Sequence, residues 1–148
     1  MRRHMQVLLA GTCSLVSLGA AAGVVGANRN ADSRVTVPVE VNVTCTGGSV
    51  QVTVNPWVVR LQQGDDIDWI LNDQAQSSTI EIAPKQPGQW AFGIERHQGQ
   101  RGAGSAARAR NMRPNQRGRR YQYDITLICQ DGNTSYTVVI DPDVEIEE

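Results

Sequence analysis

The sequence predicts an all-β protein, a Greek-key antiparallel β-sandwich. Apolar and polar residues alternate over about eight short segments, as they do in strands that bury one face. Turn-forming residues separate these segments at intervals of about 8 to 12 residues, and no stretch of useful length has helical periodicity. A chain of 148 residues with 40% apolar residues is long enough for one such domain and additional segments.

The first hairpin has the clearest pattern. Residues 35 to 45 alternate strictly, with five valines followed by Cys45 on one face. Pro38 lies on the other face and cannot donate to a ladder, so this strand, or at least that side of it, is expected at a sheet edge. A Gly-Gly turn leads into a second alternating segment, residues 49 to 54, and the two strands are therefore predicted to pair.

The middle of the domain is predicted to hold four shorter strands. Residues 57 to 61 and 67 to 71 flank a polar turn, and Trp69 is expected in the core. Residues 78 to 84 and 89 to 94 are predicted as two more strands around a Pro- and Gly-containing turn.

The final hairpin spans residues 121 to 142 and turns at Asp131-Gly132. Its first strand places two tyrosines, two aliphatic residues and Cys129 on one face. Because Cys45 also lies on an inward face, the two cysteines are predicted to form a disulfide. Two unrelated buried thiols are the alternative.

The N-terminus predicts export. Arg2 and Arg3 precede an uncharged run that ends at Ala27, which is the layout of a secretory signal. A retained membrane anchor is the alternative, since about 20 apolar residues can span a bilayer. In both cases the remainder is expected outside the cytoplasm, periplasmic or extracellular. Residues 28 to 34 are predicted as a linker, followed by one domain over residues 35 to 148.

A basic segment interrupts the strand pattern between residues 95 and 120 and is predicted as a long Arg/Gly-rich loop insertion. From position 96 to 120 it contains eight arginines and no acidic residue. The rest of the chain after residue 27 has four basic and 15 acidic residues, a net charge of −11. Arginine suits bidentate binding of carboxylates, phosphates and sulfates.

Seven of these arginines are predicted to bind an anionic partner: Arg101, Arg108, Arg110, Arg113, Arg117, Arg119 and Arg120. The alternative is a solvated loop that the acidic C-terminal tail, residues 141 to 148, partly neutralises.

Two stretches resemble the cupredoxins, the family of plastocyanins and azurins. They are "VNPWVVRLQQGDDIDWILND", residues 54 to 73, and "YQYDITLIC", residues 121 to 129. The resemblance implies a cupredoxin-like β-sandwich. In copper-binding members a His follows the first stretch, and a Cys, a second His and usually a Met come from the loop joining the last two strands.

The copper ligands of that family are missing here. Ser77 or Ser78 stands at the position of the first His, and "CQDGNTSY", which begins at Cys129, contains no His and no Met. A type 1 copper site needs two imidazoles and a thiolate, so no copper and no other cofactor is expected.

Other chemistry is weakly represented. His97 is the only histidine after residue 27 and is interpreted as a solvated loop residue, so no hydrolytic triad and no enzyme is predicted. Asp65, Asp66 and Asp68 lack the spacing of an EF-hand and are interpreted as a turn and a solvated face.

The function expected from the sequence is that of an exported, non-enzymatic, copper-free cupredoxin-like binding or accessory module. An acidic protein or a membrane complex is the expected partner, and an anionic lipid surface is the second candidate. Nucleic acid is not expected, because the basic segment lacks interleaved aromatic residues for base stacking. The alternative function is a redox or metal protein with an unconventional site.

Overall fold

The computed structural model describes residues 34–102 and 106–148, which form ten β-strands and no helix. The predicted signal or anchor, residues 1 to 27, and nearly all of the predicted linker lie outside the described residues. Within the described part of the chain, no helix is long and apolar enough to cross a membrane.

The ten strands follow one another along the chain, with the longest connections before β6 and before β8. They are β1 (Thr36–Thr46), β2 (Ser49–Asn55), β3 (Val58–Leu61), β4 (Asp66–Leu71), β5 (Ser77–Pro84), β6 (His97–Gln100), β7 (Ala106–Ala109), β8 (Arg120–Asp131), β9 (Thr134–Ile140) and β10 (Asp143–Ile146).

The strands form two sheets. Sheet I has the order β2-β1-β4-β7, and sheet II has the order β3-β10-β8-β5-β6, with β9 also paired to β8. The β1–β4 and β3–β10 pairs are parallel, and the other pairs are antiparallel. The all-β class is therefore confirmed, and the arrangement is that of a β-sandwich, but its sheets are mixed and not purely antiparallel.

Strand β1 lies between β2 and β4 in sheet I, but neither neighbour pairs with its whole length. Strand β2 pairs only with residues 40 to 46, whereas β4 pairs with residues 36 to 41. At Pro38 the strand therefore has a neighbour only on the β4 side. The missing N–H of Pro38 agrees with the predicted local edge.

The core lies between the inner faces of the two sheets. The valines of β1 from Val39 onward are fully buried, as are Trp69 of β4 and the inward residues of β8 from Tyr123 to Cys129. These positions are the ones that the period-two pattern predicts to face inward. Trp69 is confirmed as a core aromatic.

Two segments differ from the predicted pattern. Residues 89 to 94 do not form a strand, because Trp90, Ala91 and Phe92 are buried in succession and do not alternate. Phe92 makes only an isolated antiparallel bridge to Met112.

The basic segment, residues 95 to 120, is not one continuous loop. It contains β6 and β7, which belong to different sheets and contact each other. Ala107 and Ala109 are fully buried, and the arginines that alternate with them point away from the core. Small residues supply the inward face of β7, so its alternation has little apolar contrast in the sequence.

Candidate functional site

Ser77, one of the two serines at the position where the sequence resemblance would place a copper-binding His, has a structural role. Ser77 is fully buried and faces Cys129 across the β5–β8 pair, at an irregularity in the register. Its Oγ accepts a hydrogen bond from the N–H of Ile128 at 3.1 Å and donates one to the carbonyl of Thr79 at 2.7 Å. The hydroxyl therefore satisfies backbone groups that the irregular pairing leaves without strand partners. Ser78 is exposed.

The two cysteines form the predicted disulfide, which joins the two sheets. The S–S distance between Cys45 of β1 and Cys129 of β8 is 2.03 Å, and 84 positions separate the residues in sequence. Neither sulfur is a free thiol in this state. Disulfides of this kind are typical of proteins outside the cytosol.

His97 is a core residue, and its interpretation as a solvated loop histidine is wrong. Only 4% of the residue is exposed, and its ring packs 5.7 Å from Trp69 between ring centroids. Its Nδ1–H donates to the carbonyl of Arg108 at 2.7 Å, and its Nε2 accepts from the indole N–H of Trp90 at 3.2 Å. Burial lowers the pKa of His97, which keeps the ring neutral and suits both hydrogen bonds.

A second hydrogen bond lies beside His97, between the buried side chains of Trp69 and Tyr123. The indole N–H of Trp69 donates to the hydroxyl of Tyr123 at 3.1 Å, and the two rings meet edge to face. Burial raises the pKa of Tyr123. The core of this sandwich thus contains hydrogen-bonded aromatic side chains whose polar atoms have partners.

The aspartates of the β3–β4 turn are also structural, so their interpretation as a solvated face is wrong for two of the three. Asp65 and Asp66 are buried. The carboxylate of Asp65 accepts hydrogen bonds from the N–H groups of Val35 at 3.0 Å and Gln62 at 2.9 Å. Among residues 34–102 and 106–148, no three His, Cys, Asp or Glu side chains are grouped so that they could hold a metal ion.

Two of the predicted partner-binding arginines hold β7 to β4. Arg110 Nη2 lies 2.5 Å from Asp68 Oδ1, and Arg110 Nε lies 3.6 Å from Asp66 Oδ2. Arg110 Nη1 also donates to the carbonyl of Ile67 at 2.9 Å. Arg108 Nε lies 3.8 Å from Asp68 Oδ2. These contacts bind the basic strand to the most acidic strand of sheet I.

Two further arginines contact other parts of the fold. Arg101 donates from its guanidinium to the carbonyl of Ala75. Arg120 Nη2 lies 2.7 Å from Asp143 Oδ2, and Arg120 Nη1 lies 3.3 Å from Glu145 Oε1. The acidic C-terminal segment, part of which is strand β10, thus neutralises one end of the basic segment, as the alternative interpretation expects.

The remaining three arginines keep donors that the fold does not use. Arg113 Nη1 donates to the carbonyl of Gly88 at 3.3 Å. Arg117 and Arg119 are exposed, and neither makes an ion pair within the part of the chain that the structure describes.

An open groove of about 600 Å³ brings two of these three arginines together with other polar side chains. We call it the Arg119 groove. The side chains that give it its chemical character are Lys85, Gln86, Gln89, Arg113, Arg119 and Gln122. None of the described residues that line it is acidic. Arg120 also lines the groove, whereas Arg101, Arg108, Arg110 and Arg117 do not.

The sequence pattern did not predict the glutamines and Lys85 of the groove. They come from the turn after β5 and from the start of β8, which are about 35 positions apart and carry no shared motif. The high density of amides in "PKQPGQ", residues 84 to 89, was the available signal, but such a composition is also typical of an ordinary solvated turn.

Comparisons with known proteins do not assign the chain to a family: no protein-family model matches it, and no curated protein matches it significantly.

Proposed function

We propose that this protein is an exported, non-enzymatic binding module, a cupredoxin-like β-sandwich without the copper ligands, which binds an anionic partner through its basic segment. The observation that carries the proposal is the group of guanidinium donors of Arg113, Arg117 and Arg119 that the fold leaves unused. Arginines needed only for stability would be paired, as Arg110 is.

The charge distribution supports the same function. Carboxylates of the fold already engage Arg108, Arg110 and Arg120, although residues 28 to 95 and 121 to 148 together have a net charge of −11. Exposed arginines that stay unpaired in such an acidic protein are available to carboxylate, phosphate or sulfate groups of a partner.

The absence of copper in this proposal rests on Ser77 and Cys129, which stand at two of the positions where a cupredoxin has copper ligands. Cys129 is bonded to Cys45, so it supplies no thiolate, and the hydroxyl of Ser77 is engaged by backbone groups. A blue-copper site requires the thiolate and two imidazoles. The sandwich therefore serves as a rigid scaffold for a binding surface.

The test is capture from the native envelope fraction at low salt. The wild-type chain is compared with Arg117→Gln/Arg119→Gln, which removes two unpaired charges. We expect the variant to lose most of the captured material, and the wild type to lose it as salt is raised, because exposed charges are screened within about 10 Å at 0.1 M salt. Sensitivity of the captured material to protease, to polysaccharide lyase or to lipid extraction identifies its class.

The matched control is Arg60→Gln/Arg96→Gln. It removes the same charge from two exposed arginines that already have carboxylate partners, Glu145 at 3.4 Å and Glu81 at 3.3 Å. Equal capture by the wild type and both double variants would refute the proposal.

A further inference from the structure

We infer that the Arg119 groove binds an acidic oligosaccharide, with its arginines on the anionic groups and its glutamines on the sugar hydroxyls. The inference rests on the proposed function and names the ligand class for part of the same basic segment. It comes from the combination of side chains in the groove, which fits a ligand that carries both charge and hydroxyl groups.

The cations of the groove divide into two that are engaged and two that are available. Lys85 Nζ lies 2.8 Å from Asp141 Oδ2, and Arg120 contacts Asp143 and Glu145. These pairs fix the rim. Arg119 has no ion-pair partner among the described residues, and Arg113 contacts only a backbone carbonyl through its Nη1. Arg113 and Arg119 are therefore the groups that can bind an incoming carboxylate or sulfate.

The amides supply the second half of the recognition. Gln86, Gln89 and Gln122 are exposed, and their side chains make no hydrogen bond to another residue of the described ranges. An amide both donates and accepts hydrogen bonds, as a sugar hydroxyl does. A carboxylate or phosphate only accepts. Three free amides beside two guanidinium groups with unused donors thus match a hydroxylated acid better than a simple anion.

Three lining residues of the groove, Trp90, Gln116 and Tyr121, are fixed by hydrogen bonds. Trp90 is buried and hydrogen-bonded to His97. The hydroxyl of Tyr121 donates to Gln116 Oε1, and Gln116 Nε2 donates to the carbonyl of Pro114 at 2.7 Å. Lining residues fixed by such contacts lower the ordering cost of binding.

The groove does not offer the apolar anchors that a protein or a membrane would use. The large hydrophobic residues with high exposure are Trp57, Ile70, Ile94, Ile128 and Val139, and none of them lines the groove. Protein interfaces draw most of their affinity from a few buried Trp, Tyr and Arg residues near the centre of the contact. A volume of about 600 Å³ lies in the range of small-ligand sites and suits a short chain of sugars.

The experiment is isothermal titration calorimetry of the full chain with four probes of similar length. The probes are a uronate oligosaccharide, a sulfated oligosaccharide, a neutral oligosaccharide and an oligoglutamate peptide. We expect binding of the uronate or the sulfated probe, which distinguishes the two sources of negative charge, and much weaker binding of the other two.

Two substitutions test the roles of the side chains. Arg113→Gln/Arg119→Gln should weaken acidic saccharide binding by about tenfold or more, because the charge-assisted hydrogen bonds to the anionic groups are lost. Gln89→Leu should weaken it by about threefold to tenfold. The matched controls are Arg60→Gln/Arg96→Gln and Gln51→Leu, an exposed glutamine on β2, and both should bind as the wild type does.

A second measurement does not depend on the folding of any variant. Titration of the wild type with the saccharide that binds should shift backbone amide resonances of residues 84 to 90 and 113 to 122, which contain the groove. Shifts located elsewhere would overturn the inference.

The remaining outcomes separate this inference from the proposed function. Tight binding of oligoglutamate without saccharide binding would overturn the inference and leave the proposed function intact. Binding of the neutral saccharide as tight as that of the acidic ones would overturn the inference, because the arginines of the groove would then contribute nothing to the affinity. Binding of no probe overturns the inference, whereas the proposed function stands or falls with the capture experiment.

Discussion

The indole N–H of Trp90 donates to Nε2 of His97 at 3.2 Å inside the core. Because Nε2 accepts this bond it carries no proton, so the single ring proton lies on Nδ1, which donates to the carbonyl of Arg108 at 2.7 Å. The fold therefore contains a neutral imidazole in the core, which belongs to β6 and is hydrogen-bonded to the backbone of β7.

Stability should fall as the pH drops below about 6.5, the pKa of an unperturbed histidine. Burial lowers the pKa of His97 in the folded state, so in this window the unfolded chain binds a proton that the native chain does not. The stability that the neutral His97 contributes is complete above the pKa of this residue in the unfolded chain. It decreases as the pH falls, until the pH is below the pKa of His97 in the folded chain. Urea unfolding at a series of pH values between 8 and 5 measures the effect.

The variant His97→Gln is the control for this assignment. It should be less stable than the wild type at pH 8, and the part of the pH dependence that begins near 6.5 should be smaller. If the variant and the wild type lose stability in parallel over this window, His97 is not the responsible group.

Ser77→Ala should destabilise the fold by about 1 to 3 kcal/mol, because the N–H of Ile128 and the carbonyl of Thr79 lose the buried hydroxyl as a partner. Ser78→Ala is the neighbouring control, and its exposed position predicts a change within about 0.5 kcal/mol. Chemical denaturation of both variants under one condition makes the comparison. Equal losses would remove the structural role assigned to the Ser77 hydroxyl.

Cys129→Ser should lower the free energy of unfolding by about 2 to 5 kcal/mol, the usual loss for a small disulfide-bonded domain. The crosslink joins two sheets across 84 positions, so its removal enlarges the unfolded ensemble. Reduction of the wild type should reproduce most of the loss. Two free thiols detected by mass mapping of native material would contradict the assignment.

Arg110→Gln should destabilise the fold by about 1 to 3 kcal/mol, because the buried carboxylate of Asp66 loses its nearest cation and the carbonyl of Ile67 loses a donor. Arg117→Gln removes the same charge from an exposed, unpaired position and should change stability by less than about 0.5 kcal/mol. Thermal unfolding distinguishes the two, and a larger effect of Arg117→Gln would contradict the division of the arginines into structural and available groups.

The strands that the sequence predicts well are those whose alternation uses large apolar residues. In β1 the valines mark the inward face directly, and the turn at Gly47 and Gly48, both at positive φ, ends the strand as expected. In β7 the inward residues are alanines, whose small side chains make the alternation with arginine a weak strand signal. The burial of His97 depends on Trp69, which is distant in sequence, and on Trp90, which lies in a segment without regular alternation.

The candidate site was predictable only in part. The concentration of arginines is visible in the sequence, but the distinction between Arg110, which is ion-paired, and Arg119, which is not, depends on the pairing of β7 with β4. Tertiary contacts of this kind leave no local signal. The amides of the groove are invisible for the same reason, since the start of β8 meets the turn after β5 only through sheet pairing.

Strand β10 lies between β3 and β8, with Val144 and Ile146 buried. Its pairing with β3 joins residues that are about 85 positions apart in the sequence. An interior strand of sheet II is therefore supplied by the C-terminal part of the chain. A truncated product that stops before Asp143 would expose two unsatisfied backbone edges beside an open apolar cleft, and exposed edges of this kind promote aggregation. Premature termination should therefore yield insoluble chains rather than a weakened module.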